Sequence, residues 1–266
     1  MAKEKIPVYD ICNLGDEGRD EFLADRFSSY LHKHFDHLHF PHKHAFYHLV
    51  LFTGGGGEHT IDFSRFTVQP GQLYFMAPGQ VHGWAFEGRM EGYIVNFTEA
   101  FLKPFLQNPA YLDRFAFFSG ASEECVHQLP PVVYEQVCGL FEQILQRGND
   151  QRHYGDLLRV LLLQLFLVVD DAVAGKESNA VPQQKLVLLK GFRKLIDTHY
   201  RALRLPKEYA DLLYVTPNHL NALSQDLVGK TAGELIRDRI LLESKRLLAN
   251  AQMTVTEVAY DLNFRG

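Results

Sequence analysis

Between residues 35 and 97 the apolar positions fall in short runs rich in Phe, Tyr, Val and Thr, broken by turn formers roughly every eight to twelve residues, a rhythm that predicts an all-β sandwich or barrel. Ala45–Thr53, His59–Val68, Leu73–Ala77, His82–Phe86 and Gly92–Phe97 are the predicted strands. Gly54-Gly55-Gly56-Gly57, Pro70-Gly71 and Pro78-Gly79 are the predicted turns, because glycine reaches positive φ without steric cost and proline stops a strand. After Glu99 the spacing turns helical. Val132–Arg147 sets Val133, Val137, Leu140, Phe141, Ile144 and Leu145 on one stripe, and Tyr154–Val169 is apolar over most of its circumference. With Gly148-Asn149-Asp150 as connector they predict an antiparallel helix pair, and an all-round apolar helix asks for cover on several sides, which a second subunit would supply. Ala172–Gln184 reads as a linker, and Lys185–Tyr200, Lys207–Leu213, Pro217–Val228, Ala232–Asn250 and Val255–Leu262 as helices. The expected plan is a β-barrel over residues 1–130, a dimerising helix pair over 131–171, a linker over 172–184 and an all-helical domain over 185–266.

Composition narrows the class. At 266 residues, 46% hydrophobic and 22% charged, the chain reads as soluble and globular. Its longest apolar stretch, Leu157–Val169, carries Arg159 and Gln164 and falls short of the ~18–20 residues that span a bilayer, so no membrane partner is expected. Met1–Gly15 lacks the apolar core of a secretory signal, and Cys12, Cys125 and Cys138 suggest neither a disulfide framework nor a metal clip. Cytoplasmic residence is therefore expected. Charge divides along the chain. Up to residue 182, 14 Lys and Arg face 23 Asp and Glu; from 183 onward, 13 face 9, so a basic end block points to nucleic acid.

The segment Lys207–Val228, KEYADLLYVTPNHLNALSQDLV, is punctuated as a helix-turn-helix: a short helix, a tight turn at Tyr214-Val215, Thr216 as N-cap and Pro217 at the first helical position. In the second helix Leu220, Leu223, Ser224 and Leu227 share one side while Asn218, Asn221, Ala222 and Gln225 share the other. An uncharged amide face suits base reading, since Asn and Gln pair bidentately with adenine in the major groove. The pattern then repeats: Ala210 precedes Tyr214, and Ala259 precedes Asn263, by the same four residues. The turn position favours a residue tolerant of positive φ, which suits Asn263 and suits Tyr214 poorly. These motifs, together with TPNHLNALSQDLVGKTAGELIRDRILLESKRLL and LANAQMTVTEVAYDLNF, resemble the DNA-binding domain of the AraC/XylS regulators over about residues 185–264. The resemblance implies promoter DNA as partner, RNA polymerase as a second partner if the protein activates, and Thr216, Asn218, His219, Asn221, Ala222 and Gln225 as DNA-binding residues. At least two of Arg237, Arg239, Lys245 and Arg246 on the connecting helix read as a solvated face. The family's second recognition helix would begin just after Phe264, where this sequence stops at Gly266, so the second unit is expected to be incomplete and specific affinity to fall.

His39-Phe40-Pro41-His42-Lys43-His44-Ala45-Phe46-Tyr47-His48 and Pro78-Gly79-Gln80-Val81-His82 resemble the cupin family over about residues 35–97. Such barrels commonly precede the DNA-binding domain in AraC-type regulators. In metal-binding cupins His42, His44 and His82 would be ligands, while His48 stands where those proteins carry Glu. Strand parity puts 42, 44, 46, 48, 50 and 52 on one face and 82, 84 and 86 on one face. The expected input is a small organic effector held by His44, Tyr47, His82, Trp84 and Tyr93. No cofactor is expected, the alternative being a transition metal on His42, His44, His48 and His82. Ser64, Ser119 and Ser122 lie in no nucleophile motif, and neither a GxxxxGK loop nor HExxH occurs, so catalysis is not expected. The whole reads as a two-domain regulator, a cupin-like β-barrel sensor with a helical dimerisation segment and then a tandem helix-turn-helix domain. The alternatives are a metal-dependent cupin oxygenase or isomerase, or a dimerisation-only modulator.

Overall fold

Alternation of apolar side chains along two long strands builds the first half of the chain. The computed structural model describes residues 6–14, 21–38, 40–106, 108, 111–147, 152–173, 183–249 and 253–264. The chain divides into two compact units, Pro7–Gly175 and Lys176–Gly266 with Met1–Ile6. The first unit is a sheet with helices, the second all helix, as expected of a β domain followed by an α domain.

The first unit contains β1 (Val8–Tyr9), β2 (Phe22–Arg26), α1 (Phe27–Leu38), β3 (His42–His44), β4 (Tyr47–Ile61), β5 (Ser64–Thr67), β6 (Gln72–Met76), β7 (Val81–Phe97), α2 (Glu99–Leu102), β8 (Val126–Gln128), α3 (Pro131–Leu145) and α4 (Tyr154–Val173). The strands run β1-β3-β7-β4-β6-β8, with β2 also on β7 and β5 on β4, and the path is open rather than closed on itself. β4 and β7 pair antiparallel from Tyr47↔Phe97 to Ile61↔His82 and form the backbone of the unit. Because side chains alternate across a strand, the two faces bury different sets. Leu49, Leu51, Tyr93, Val95 and Phe97 pack with Val137 and Phe141 of α3 and Leu161, Leu165 and Phe166 of α4. Val50, Phe52, Tyr74, Trp84 and Ile94 pack with Phe27 and Tyr30 of α1.

Three expectations about strands need correction. Gly54–Gly57 is not a turn: β4 runs through it, with the register passing from Phe52↔Gly92 to Gly54↔Glu91 and then Gly56↔Glu87. The run His59–Val68 is not one strand but the two arms of a hairpin, Ile61 pairing with Ser64. Its turn residues, Asp62 and Phe63, have φ of 46° and 76°, the twist that fits two-residue hairpins. Asp62 anchors that turn by accepting from the Val81 amide at 3.0 Å and from Gln80 Nε2 at 3.1 Å. Finally, His82–Phe86 and Gly92–Phe97 are one strand, because the residues between them bulge without leaving β4. The connector at 148–150 and most of the 172–184 linker lie outside the described residues. Most of α4 is covered by its own sheet: Leu158, Leu161, Leu162, Leu165, Phe166 and Val169 are buried within the unit. Val160 and Leu167 are left 48% and 43% exposed.

The second unit contains α5 (Gln183–His199), α6 (Pro206–Leu212), α7 (Pro217–Val228), α8 (Ala232–Ala249) and α9 (Val255–Asp261). Phe192, Tyr209, Ala210, Leu220, Leu223, Ile236, Val258 and Leu262 are among its core residues. The internal repeat is atomic. The Val215 amide donates to the Ala210 carbonyl at 3.0 Å, and the Phe264 amide donates to the Ala259 carbonyl at 2.8 Å. Both bonds close a Schellman-type helix end around a left-handed residue, Tyr214 at φ 56° and Asn263 at φ 58°.

Two substitutions test this account. Gly57 has φ +109°, and a Cβ there would collide with the Ala85 carbonyl oxygen. Gly57→Ala is expected to destabilise the sheet unit by about 1–3 kcal/mol, read from its urea transition. Tyr214 is 96% exposed and contributes little packing to offset its left-handed backbone. Tyr214→Asn should therefore stabilise the helical unit by about 1 kcal/mol; no gain, or a loss, would show that the tyrosine ring makes a compensating contact.

Candidate functional site

The sensor face of the sheet gathers five imidazoles. His42 and His44 come from β3, His48 and His59 from β4 and His82 from β7, and all five are buried. Ring centroids are 4.2 Å apart for His42–His82, 4.6 Å for His44–His82, 4.6 Å for His44–His48 and 4.8 Å for His42–His44. Nε2 of His59 lies 3.2 Å from Nδ1 of His82. Ligand atoms of His42, His44 and His82 all lie within 4.8 Å of one another. Trp84 closes one side, its ring 5.5 Å from His82 and 5.9 Å from His48. His44 lies flat on Phe46 at 4.4 Å.

His59 is the member that sequence parity missed. Even-numbered residues of β4 face the cluster up to Phe52, so 59 belongs on the opposite face of a regular strand. One extra β4 residue between the Phe52 and Gly54 pairings reverses the alternation, and His59 and Ile61 turn inward. The four consecutive glycines were the available signal, since glycine inside a strand marks a bulge as readily as a turn.

The expected effector set does not converge. His44, His82 and Trp84 share the sensor face, whereas Tyr47 and Tyr93 point to the other side of the sheet. Tyr47 stacks on Phe97 at 4.9 Å, and the Tyr93 hydroxyl donates to Glu142 of α3 at 2.5 Å beneath the Arg26 guanidinium. Their odd numbers put them there, because Trp84 and Ile94 of the same strand face inward. His48, in turn, is held by Asn96, whose side-chain oxygen is 2.7 Å from Nδ1.

Burial keeps these imidazoles neutral. It pulls His42 down to about 4 and His48 down to about 3, each partly offset by its hydrogen bond. His44, His59 and His82 are also pushed well below the usual imidazole range, first by burial and then by mutual repulsion. Six of their ring nitrogens, Nε2 of His42, His48 and His82, both nitrogens of His44 and Nδ1 of His59, are buried without a hydrogen-bond partner among the described residues. Trp84 Nε1 is in the same state. A face built this way is prepared for something that accepts, donates or coordinates there.

In the helical unit, α7 is fixed at both ends. The Thr216 hydroxyl accepts from the His219 amide at 3.1 Å, Pro217 occupies the first turn, and Gly229 at φ +68° stops the helix. Leu220, Leu223 and Ser224 are buried, and Thr216, Asn218, His219, Asn221, Ala222 and Gln225 are exposed. Two amides are half engaged. Asn221 Oδ1 accepts from the Ala232 amide at the start of α8, at 3.0 Å, and Gln225 Nε2 donates to the Gly229 carbonyl at 3.1 Å. On α8 Arg237 and Lys245 are exposed, in keeping with a solvated face at two or more of its four cations, while Arg239 pairs with Asp197 at 2.7 Å and Glu243 at 3.0 Å, and Arg246 is buried 3.7 Å from Glu243.

Residues 28–167 match the AraC-like ligand binding domain, and residues 209–266 match a helix-turn-helix domain. No curated protein sequence matches the chain. Among solved structures, ToxT from Vibrio cholerae O395 is 9% identical, covers 93% of this chain and 90% of its own, and gives a TM-score of 0.43. Wild-type ToxT from Vibrio cholerae strain SCE256 with an unsaturated fatty acid bound is 12% identical over 95% of this chain and 90% of its own, at 0.40. The AraC-like transcriptional activator CuxR is 14% identical over 78% and 72%, at 0.34. The sensor-domain match alone takes in more than half of the residues, and with the helix-turn-helix behind it the chain belongs to the AraC family of effector-sensing transcriptional regulators.

Proposed function

We propose that this regulator reads double-stranded promoter DNA with the exposed face of α7 and that its sensor face, around His44, His82 and Trp84, takes the effector. The observation that carries the reading is the α7 surface: a helix capped at its N-terminus, anchored by an apolar side and presenting amides outward. In helix-turn-helix proteins the first residues of such a helix reach base edges, while backbone amides and small hydroxyls hold phosphates. Thr216 and His219 suit the phosphate role. Asn218 suits base contact with its whole amide, whereas Asn221 offers its outward NH2 to acceptors such as guanine O6 or N7. Gln225 offers its oxygen to donors such as cytosine N4. The half-engaged amides thus favour single, directed hydrogen bonds over the bidentate adenine pairing that residue type alone suggests.

The sheet would relay occupancy to its other face. Tyr93 is next to Ile94 on β7 and bonded to Glu142, so a shift of β7 around a ligand at His82 and Trp84 is felt at α3. A ligand moves that equilibrium only as far as it prefers one arrangement. The exposed Val160 and Leu167 of α4 are the surface on which a homodimer would form. The chain acts by binding rather than catalysis, in the cytoplasm, and RNA polymerase is a partner if it activates.

Two measurements decide. Duplexes selected from fragmented genomic DNA should bind Asn218→Ala and Asn221→Asp about 10-fold or more weakly than the parent, with much smaller losses on random duplex, as expected for one base contact worth ~1–3 kcal/mol. Aspartate keeps an oxygen for the Ala232 amide, so α8 stays capped; equal losses on both DNAs would remove these residues from base reading. Val160→Glu with Leu167→Glu should convert a dimer to a monomer in sedimentation velocity, and an unchanged coefficient ends the α4 assignment.

A further inference from the structure

We infer that Tyr214, at the turn between α6 and α7, is a DNA-backbone contact whose hydroxyl donates to a phosphate oxygen at the edge of the groove that α7 enters. This rests on the reading of α7 as the recognition helix and goes beyond it, since Tyr214 lies outside that helix.

The turn is rigid and its backbone is costly. The Tyr214 amide donates to the Asp211 carbonyl at 3.3 Å, and the next amide, of Val215, to the Ala210 carbonyl at 3.0 Å. Leu213 and Val215 on either side pack against the helical core, so Tyr214 between them is turned out to solvent and left almost wholly exposed. Its φ of 56° is one that glycine or asparagine adopts at much lower cost than tyrosine. The second repeat of the helix-turn-helix supplies the comparison: the same turn there, closed by the same bond, carries Asn263 at φ 58°. Local stability therefore does not account for the tyrosine. Its ring is outside the core, and its hydroxyl has no hydrogen-bond partner among the described residues. Strain kept at a position that returns nothing to the fold points to a position used in binding. What it binds follows from its place, two residues ahead of Thr216, the N-cap of α7. When the N-terminal end of a recognition helix enters the major groove and the helix before it crosses the backbone, the turn joining them lies along the phosphates at the groove edge. Tyrosine is among the side chains that donate to phosphate there. A phosphate contact carries no base preference, and a neutral donor releases no counterion. The expected signature thus differs both from that of the α7 amides and from that of a lysine or arginine: weaker binding to every duplex at an unchanged salt dependence.

The test compares the full chain with Tyr214→Phe, which keeps ring and backbone and removes the donor, on a genomic duplex selected by the parent and on random duplex, at several salt concentrations. Tyr214→Phe is expected to bind both about 5- to 10-fold more weakly, with a parallel salt slope and an unchanged urea transition of the helical unit. In a scan of the selected duplex with single neutral methylphosphonates, one position should weaken the parent and leave Tyr214→Phe unaffected, which places the bond at that phosphate. Tyr214→Gly, free of the left-handed cost and of any side chain, should fold at least as stably and lose as much affinity or more. Parent-like affinity of Tyr214→Phe on both duplexes overturns the contact, as does a loss confined to the selected duplex, which would mean base reading. Parent-like affinity together with lower output from purified RNA polymerase would give the ring to a protein partner and overturn the contact equally. Each of these outcomes leaves α7 as the recognition helix. A parent that binds no duplex overturns the regulator reading itself, and the contact with it.

Discussion

The pairing of β4 with β7, and the glycine bulge that interrupts it, is the constraint on which the sensor unit depends. Fourteen or more residues of regular antiparallel strand would keep one parity throughout, giving a face that is apolar at one end and misplaced at the other. The single extra residue near Gly54 lets β4 bury Val50 and Phe52 before the bulge and His59 and Ile61 after it, all on one side. Gly55 and Gly57 make this feasible because both have positive φ and both face backbone too close for a Cβ. At Gly55 and Gly57 the stretch that looks like flexible connection therefore has no room for a side chain.

The same alternation gives the sheet two different faces. One is hydrocarbon and aromatic, filled by α3 and α4, and needs nothing beyond packing. The other buries polar rings in a low-dielectric setting, where an unmatched nitrogen is costly and a matched one is strong. The contrast appears in the tyrosines. Burial and the Glu142 carboxylate push Tyr93 up to about 12, so it stays a protonated donor that ties sheet to helix, and Arg26 balances that carboxylate. Nothing comparable satisfies His44. Among the described residues, most of the buried side-chain polar atoms without a hydrogen-bond partner lie on that second face.

How much of this was legible beforehand follows from what each signal measures. Helix ends marked by local caps were legible, because Thr216, Pro217 and Gly229 each act through local backbone chemistry and α7 runs over Pro217–Val228 as its caps require; α4, without such a stop, runs to Val173, four residues past the expected Val169, and α1 (Phe27–Leu38) was not expected as a helix. Strand number and hairpin position were not, because glycine is read equally as turn and as bulge, and only pairing decides. Asp62-Phe63 shows the reverse case: the true turn contains a phenylalanine at φ 76°, held there by Asp62 bonding to Val81 and Gln80. Local propensity cannot show a turn imposed by tertiary bonds. Parity places His42, His44, His48, His82 and Trp84 on the sensor face; it cannot place His59 across the bulge, and it sends Tyr47 and Tyr93, at odd positions, to the helices rather than to the expected effector set. Polar side chains on α7 were legible as outward, but not that Asn221 and Gln225 would each give one end to the α8 start and the α7 stop.

That last point bears on recognition energetics. A free glutamine or asparagine at a protein–DNA interface loses rotamer entropy when it docks, on the order of 1 kcal/mol. Asn221 and Gln225 have lost part of it on folding, because their intramolecular bonds already select a rotamer. The cost falls on versatility, since the committed end keeps only one of its two lone pairs or N–H groups and is held by its intramolecular partner. On the proposed reading such a helix trades breadth of pairing for direction, and its specificity would be set as much by the start of α8 and the stop of α7 as by the side chains offered to the groove.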